Sequence, residues 1–380
     1  MTNSIRISRV RSKAELRRFI LFPWTIYRDD PNWVPPLIPG RLAYLGDRTD
    51  PYFQQGNAEL FITYQNGRPV GTVAAAYNDE VNEAREEKLG IFGFFECVPD
   101  REAAFALWDQ ATDWLGRAGM TIMRGPYNFR RTDDPGFLVQ GHETRPAMLM
   151  GHTPPYYAEF AEAYGMDLYF ETYAYRFDMV ASGITLDNID THRLARRARR
   201  ASQGTGLAIR TARLEAWEAD SEIIRQIYNV TLEHSSDHTH ILQEEWKGYM
   251  NVLRPFISPD FALIAEIDSE PVGIAVAFRD AANVLHEVNG LRYPWNYLQL
   301  PFALRKNKAL SWKLLGILDK YRRLGIGTAL FVKMLKAALQ NGITNIDISL
   351  VGSENELIVP FLEQLGCERY RTYQIYEVKL

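Results

Sequence analysis

The sequence predicts an α/β protein built from two successive units of one kind, each a mixed sheet flanked by helices, and three observations carry this. The chain has 380 residues, enough for two domains of ordinary size. Residues 59–76 (ELFITYQNGRPVGTVAAA) and 261–278 (FALIAEIDSEPVGIAVAF) repeat a pattern of strand, tight turn and strand. After each hairpin the same order of strand, helix, strand, helix and strand follows, which favours a duplicated unit over one large sheet. The expected division is a first domain at 1–180, a basic linker helix at 181–206 and a second domain at 207–380.

The hairpins are read from their turns, Gln65-Asn66-Gly67-Arg68 and Asp268-Ser269-Glu270, between β-branched and apolar flanks. Both return strands open with Pro-Val-Gly, at Pro69 and Pro271. Residues 108–118 and 329–340 read as amphipathic helices that stop at Gly119 and Gly342, ahead of the short strands MTIMRG and ITNIDIS. The second half carries extra length before its helix, in LRYPWNYLQLPFALRKNKAL (291–310). PPYYAEFAEAYGM and IVPFLEQLGC then pair as helices closed by Gly165 and Gly366. Between the halves, the arginine-rich run 192–200 precedes Ser-Gln-Gly-Thr-Gly. It reads as a solvated linker helix, or as a contact for a membrane surface or polyanion.

Composition narrows the function. With 46% hydrophobic and 24% charged residues the chain looks like a soluble globular protein. A net charge of -4 gives no general attraction to nucleic acid, so no nucleic-acid partner is expected and any anion site must be local. Two cysteines, Cys97 and Cys367, are too few for a disulfide framework or a zinc cluster. The N-terminus has charges where a signal peptide needs an apolar run, and no apolar stretch reaches the roughly 20 residues of a membrane span. A cytoplasmic protein is expected.

The chemistry concentrates in residues 313–330, which read as strand, glycine turn and helix. Arg322-x-x-Gly325-x-Gly327 lies at the turn, where glycines let an anion approach the backbone and the helix N-terminus favours it. Thr328 and the side chains of Arg322 and Arg323 can add hydrogen bonds. No Gly-Lys-Ser/Thr follows, and the dinucleotide pattern is absent, so neither a P-loop nor a Rossmann site is indicated.

This stretch resembles motif A of the GNAT acyltransferase superfamily, and Asn355 followed by the helix ending at Gly366 resembles the segment after it. The resemblance implies acetyl-CoA or a longer acyl-CoA as cosubstrate, and no metal. It implies that the amides of Arg323, Leu324, Gly325, Ile326, Gly327 and Thr328 hold the pyrophosphate, with Arg322 beside them. Ile317 and Leu318 would pair with pantetheine, Asn355 would contact the coenzyme, and the Leu318 N–H would face the oxyanion. Where many members carry a tyrosine general acid, this chain has Leu362. Tyr370, Tyr373 and Tyr376 replace it only if the fold returns one to the thioester. Over nearly its whole length, through Gly93-Phe-Phe-Glu96, Gly125-Pro-Tyr-Asn128 and Pro154-Pro-Tyr-Tyr157, the chain is similar to double-GNAT bacterial proteins, with bacterial ceramide synthases among the relatives.

The resemblance implies transfer of an acyl group to a primary amine of a small or lipid-like acceptor. The base is open between Glu96, at the end of an apolar strand, and His286 and Glu287, at the end of ANVLHEV. The first half has no phosphate turn, only Val98-Pro-Asp-Arg-Glu, and reads as a degenerate partner whose Asn128 and 129–141 loop face the acceptor. The histidines of His234–His240 read as a polar loop rather than metal ligands. Competing functions are a coenzyme-binding pseudoenzyme and a tRNA-dependent aminoacyl transferase. The insert 291–310 offers a peripheral membrane contact or a packed arm. The sequence sets no oligomeric state.

Overall fold

The computed structural model describes residues 5–46, 56–129, 133–233, 241, 243–253 and 256–380. The first half runs β1 (Ile5–Arg9), α1 (Lys13–Leu21), α2 (Pro23–Ile26), α3 (Ile38–Gly46), then the hairpin β2 (Gly56–Gln65) and β3 (Arg68–Asn78). It continues with α4 (Asp79–Arg85), β4 (Leu89–Cys97), α5 (Arg101–Arg117), β5 (Ile122–Gly125), β6 (Phe137–Gln140), α6 (Tyr156–Tyr164) and β7 (Asp167–Asp178). The second half opens with α7 (Arg193–Ala201), β8 (Leu207–Thr211), α8 (Trp217–Leu232) and α9 (Gln243–Leu253), then the hairpin β9 (Ala262–Ile267) and β10 (Glu270–Arg279). It closes with α10 (Ala282–Glu287), α11 (Pro294–Lys306), β11 (Leu310–Ile317), α12 (Ile326–Gln340), β12 (Asn345–Gly352), α13 (Ile358–Leu365) and β13 (Glu368–Lys379). The mixed α/β class read from the sequence is the observed one.

Contacts divide the chain into two compact units that interleave the halves. Met1–Tyr173, Ala282–Arg305 and Tyr370–Leu380 form the first; Ala174–Ala281 and Lys306–Arg369 form the second. Helices α10 and α11 and most of β13 thus join the first unit although they come late in the sequence.

In the first unit β1 to β5 follow in order, with β13 beside β5 and antiparallel to both β5 and β6. Side chains alternate across β2 and β3, and both faces are apolar, so these strands read as continuous hydrophobic runs. Phe61, Val73 and Ala75 join Phe92, Leu107 and Trp108 on the face covered by α5. Leu60, Ile62, Ala74 and Ala76 join Phe19, Ile20 and Trp24 of α1 and α2 on the other.

In the second unit the order is β12, β11, β10, β9, β8, with β11 and β12 parallel and the remaining pairs antiparallel. Helix α12 covers one face, where Phe331 stacks on Trp312 at 5.5 Å. Its buried Leu330, Met334 and Leu335 recur at the helical period. Helix α7 lies against α12 through Leu194, Ala195 and Ala198, so its apolar stripe is packed and only its arginine face is solvated.

Candidate functional site

The second unit contains a fork. Parallel strands β11 and β12 pair only where 310–312 meet 346–348, and the ladder ends there. On its other edge β11 stays paired to β10 as far as Ile317, and the Leu318 N–H donates to the Val272 carbonyl at 3.0 Å. Alternate residues of an antiparallel strand turn their amides to the same neighbour. With Leu318 facing β10, Gly316 faces it too, and Leu315 and Ile317 turn theirs to the open side of the fork. This corrects the oxyanion assignment: the Leu318 N–H is engaged by Val272. The edge that an extended ligand can join belongs to Leu315 and Ile317.

Beyond Leu318 a short 3-10 turn, Asp319–Tyr321, leads to the glycine turn. Arg322 is held by Asp319 at 2.8 Å, and Arg323 and Gly325 take left-handed backbone, φ 71° and 74°. Helix α12 has no side-chain cap, and its first internal bond runs from Ala329 N to Gly325 O at 3.0 Å. Every amide from Arg323 to Thr328 therefore lacks an acceptor among the described residues. Such converging donors at the positive end of a helix dipole form an anion site. Glycine is required at 325 twice over. The backbone is left-handed, and a Cβ there would lie 2.3 Å from that of Ala201.

That contact also brings the end of α7 to the turn. Arg197 and Arg200, one turn or less from Ala201, are exposed and form no ion pair among the described residues. Asn355 turns its Oδ1 to the amides of Ile358 and Leu357, at 3.0 and 3.3 Å, and so caps the start of α13. Leu362 is buried.

At the crotch of the fork lies a cluster that the sequence reading missed. Ser311 and Ser349 each donate to Asp347 Oδ1 at 2.6 Å. Lys313 Nζ donates to Ser349 Oγ at 2.7 Å and stands 3.6 Å from the same carboxylate oxygen. Ser311, Asp347 and Ser349 are buried, and the Lys313 side chain is 9% exposed, so the ammonium and the carboxylate share a low-dielectric site. The signal was alternation: Ser-x-Lys on β11 and Asp-x-Ser on β12 put polar groups on one face of otherwise apolar strands.

Residues 221–367 match the model of the Acetyltransferase (GNAT) family. Over 378 residues, 98% of this chain and 96% of the relative, the sequence is 27% identical to the Bacterial ceramide synthase of Caulobacter vibrioides. It is 25% identical to Protein YghO of Escherichia coli over 97% of this chain and 94% of that one. Among solved structures it is similar to a tandem GNAT protein from the clavulanic acid biosynthesis pathway, with TM-score 0.57 and 13% identity over 99% and 98% of the two chains. Residues 221–367 form a GNAT domain. The chain as a whole has the tandem GNAT fold, and acyl transfer is the class of chemistry these relatives support.

The first unit of this tandem GNAT fold has the matching fork, since β4 and β5 are parallel and pair only where 89–91 meet 122–124. Here the chain itself occupies the opened edge. Tyr127 N donates to Phe92 O at 2.7 Å, and the Asn128 side chain accepts from Phe94 N at 2.7 Å. A Cβ on Gly93 would lie 1.8 Å from the Tyr127 carbonyl oxygen, so the two segments touch. The Asn128 Oδ1 is thus fixed on Phe94, and its Nδ2 lies 3.5 Å from Asp134 Oδ2. At the start of α5 the Asp100 carboxylate accepts from Glu102 N and Ala103 N, at 2.9 and 3.2 Å. An anion already sits where the GNAT domain of the second unit leaves its amides open.

The three candidate bases all lie in the first unit. Glu96 Oε2 accepts from Tyr27 at 2.9 Å and Tyr157 at 2.8 Å. Burial pushes its carboxyl up to about 8, against the opposing pull of the two tyrosine hydrogen bonds. His286 and Glu287 belong to helix α10. His286 Nδ1 is 3.0 Å from the Trp33 carbonyl, and Glu287 is exposed. The tyrosines offered in place of Leu362 also fall in the first unit. Tyr373 donates to Gly151 O at 2.9 Å and Tyr376 to Gln374 Oε1 at 2.7 Å, so neither hydroxyl is open. His234–His240 lies outside the described residues.

Proposed function

We propose that this protein transfers an acyl group from acyl-CoA to a primary amine of a lipid-like acceptor. The observation that carries the reading is the run of amides without acceptors from Arg323 to Thr328, next to the open edge of β11. Those amides and the flanking arginines, Arg322, Arg323, Arg197 and Arg200, suit the phosphates of coenzyme A. The Leu315 and Ile317 edge suits the amide-containing pantetheine, and the Asn355 Nδ2 can reach the coenzyme while its Oδ1 caps α13. The relative named a bacterial ceramide synthase supports a lipid-like amine and a longer acyl chain.

In the reaction the neutral amine attacks the thioester carbonyl carbon, the C–N bond forms, the C–S bond breaks and the thiolate leaves. Lys313 is the proposed stabiliser of the charge that develops, because an ammonium in a buried site acts more strongly than one in water. Asp347 and Ser349 hold it in position. The proton that the amine nitrogen gives up ends on the departing sulfur.

Calorimetric titration with acetyl-CoA and a long-chain acyl-CoA, followed by thiol release with amine acceptors, tests the reading. Gly325→Glu should abolish coenzyme binding. Lys313→Met should lower kcat by roughly a hundredfold while leaving the Kd for acyl-CoA within a few-fold. A folded wild type that binds neither thioester would refute the proposal, and binding without turnover would leave the pseudoenzyme.

A further inference from the structure

Helix α11 is inside out. Its inward side holds Asn296 and Ala303, both buried, with Leu300 packed on Val284 and Val288. Its outward side carries the large apolar residues. Trp295, Leu298 and Phe302 form one stripe, exposed by 56, 74 and 65%, and Tyr297 and Leu304 an adjacent one, exposed by 51 and 50%. A helix of an ordinary globular protein has the opposite polarity. The arm that carries it is firmly anchored in the first unit. Trp24 Nε1 donates to Asn289 Oδ1 at 2.7 Å, and a Cβ on Gly290 would meet the Pro36 carbonyl at 2.2 Å.

The charges within the arm that carries this helix are all of one sign. Residues 291–310 contain no Asp or Glu but include Arg292, Arg305, Lys306 and Lys308, in a chain whose net charge is -4. Tyr293 and Trp295, stacked at 4.6 Å, open the helix, and aromatic rings of this kind favour the boundary between headgroups and acyl chains. No helix among the described residues is long and apolar enough to cross a membrane. Thirteen residues span only about 20 Å, so α11 can lie on a bilayer but not traverse it.

We infer that α11 is a membrane-docking helix that inserts Trp295, Leu298, Phe302 and their neighbours into an anionic lipid surface, with Arg305, Lys306 and Lys308 on the headgroups. Apolar insertion supplies the depth, and the one-signed charge supplies the preference for anionic lipid. Beside the arm a cavity of about 460 Å³ is lined by Tyr27, Arg28, Asp30, Trp33, His286 and Arg292. Docking would bring lipid headgroups to its mouth.

Flotation of the full chain with phosphatidylethanolamine/phosphatidylglycerol vesicles, against phosphatidylcholine vesicles, tests this without reading catalysis. The wild type should float with the anionic vesicles and lose at least roughly tenfold in partitioning when Leu298 and Phe302 are both changed to Ser. Neither side chain is packed in the fold, so the variant should keep its circular dichroism spectrum and melting temperature. Arg305→Gln with Lys306→Gln should remove the anionic preference and its salt dependence. Leu168→Ser, at another exposed apolar site, should change nothing. Absence of flotation, or flotation indifferent to the Leu298/Phe302 change, overturns the inference. A dimer in sedimentation that the same change dissolves, without vesicle binding, overturns it in favour of a second copy on this face.

Discussion

Glu96 is held by two tyrosine hydroxyls in a site that favours its protonated form, and this has a consequence for stability. Its folded pKa, about 8, lies above the ordinary value of 4.5. The stability it contributes is therefore complete below pH 4.5 and is lost as pH rises through 8. Glu96→Gln keeps a carbonyl oxygen for Tyr27 and Tyr157 but cannot ionise. In urea unfolding, the variant should gain on the wild type between pH 5 and pH 9 by on the order of 1–3 kcal/mol. Parallel pH profiles would show that the carboxyl ionises at no cost.

At the scale of elements, α5 and α12 occupy equivalent places and begin in opposite ways. Asp100 closes the amides of α5, whereas Gly325 leaves those of α12 open. Asp100→Ala should cost about 1 kcal/mol, the usual value of a lost N-cap, in thermal unfolding. Coenzyme affinity should not change, because the first unit's β4 edge remains filled by Tyr127 and Asn128. A new coenzyme site in that variant would mean that the carboxylate alone had kept the first unit closed.

For the whole molecule, the exchange of segments makes the C-terminus structural for the first unit. Strand β13 pairs with β5 and β6 and buries Arg371, Tyr373, Ile375 and Tyr376. Arg371 donates to His152 Nδ1 at 2.8 Å and His152 Nε2 meets Asp30 at 2.8 Å, so the strand also anchors the chain after α2. Truncation after Gly366 should abolish hydrogen-exchange protection in β5 and β6 while sparing β9 and β10. Protection retained in β5 would show that the strand is dispensable.

Local pattern in the sequence determined the hairpins, the order of elements and the strand–turn–helix around Gly325. Each depends on periodicity and turn chemistry within a few residues. The same local signals could not show that the Leu318 N–H is taken by Val272, because antiparallel register assigns an amide to one edge or the other. Nor could they reveal the Lys313–Asp347 pair, which joins two strands only at the point where they part. ANVLHEV, a short apolar run, has no distinguishing period, and tertiary packing made it the helix that supports α11. Whether the aromatic insert was core or surface also waited on the fold. Hydrophobicity states what a residue prefers, and only the packed structure decides which side chains are left facing out.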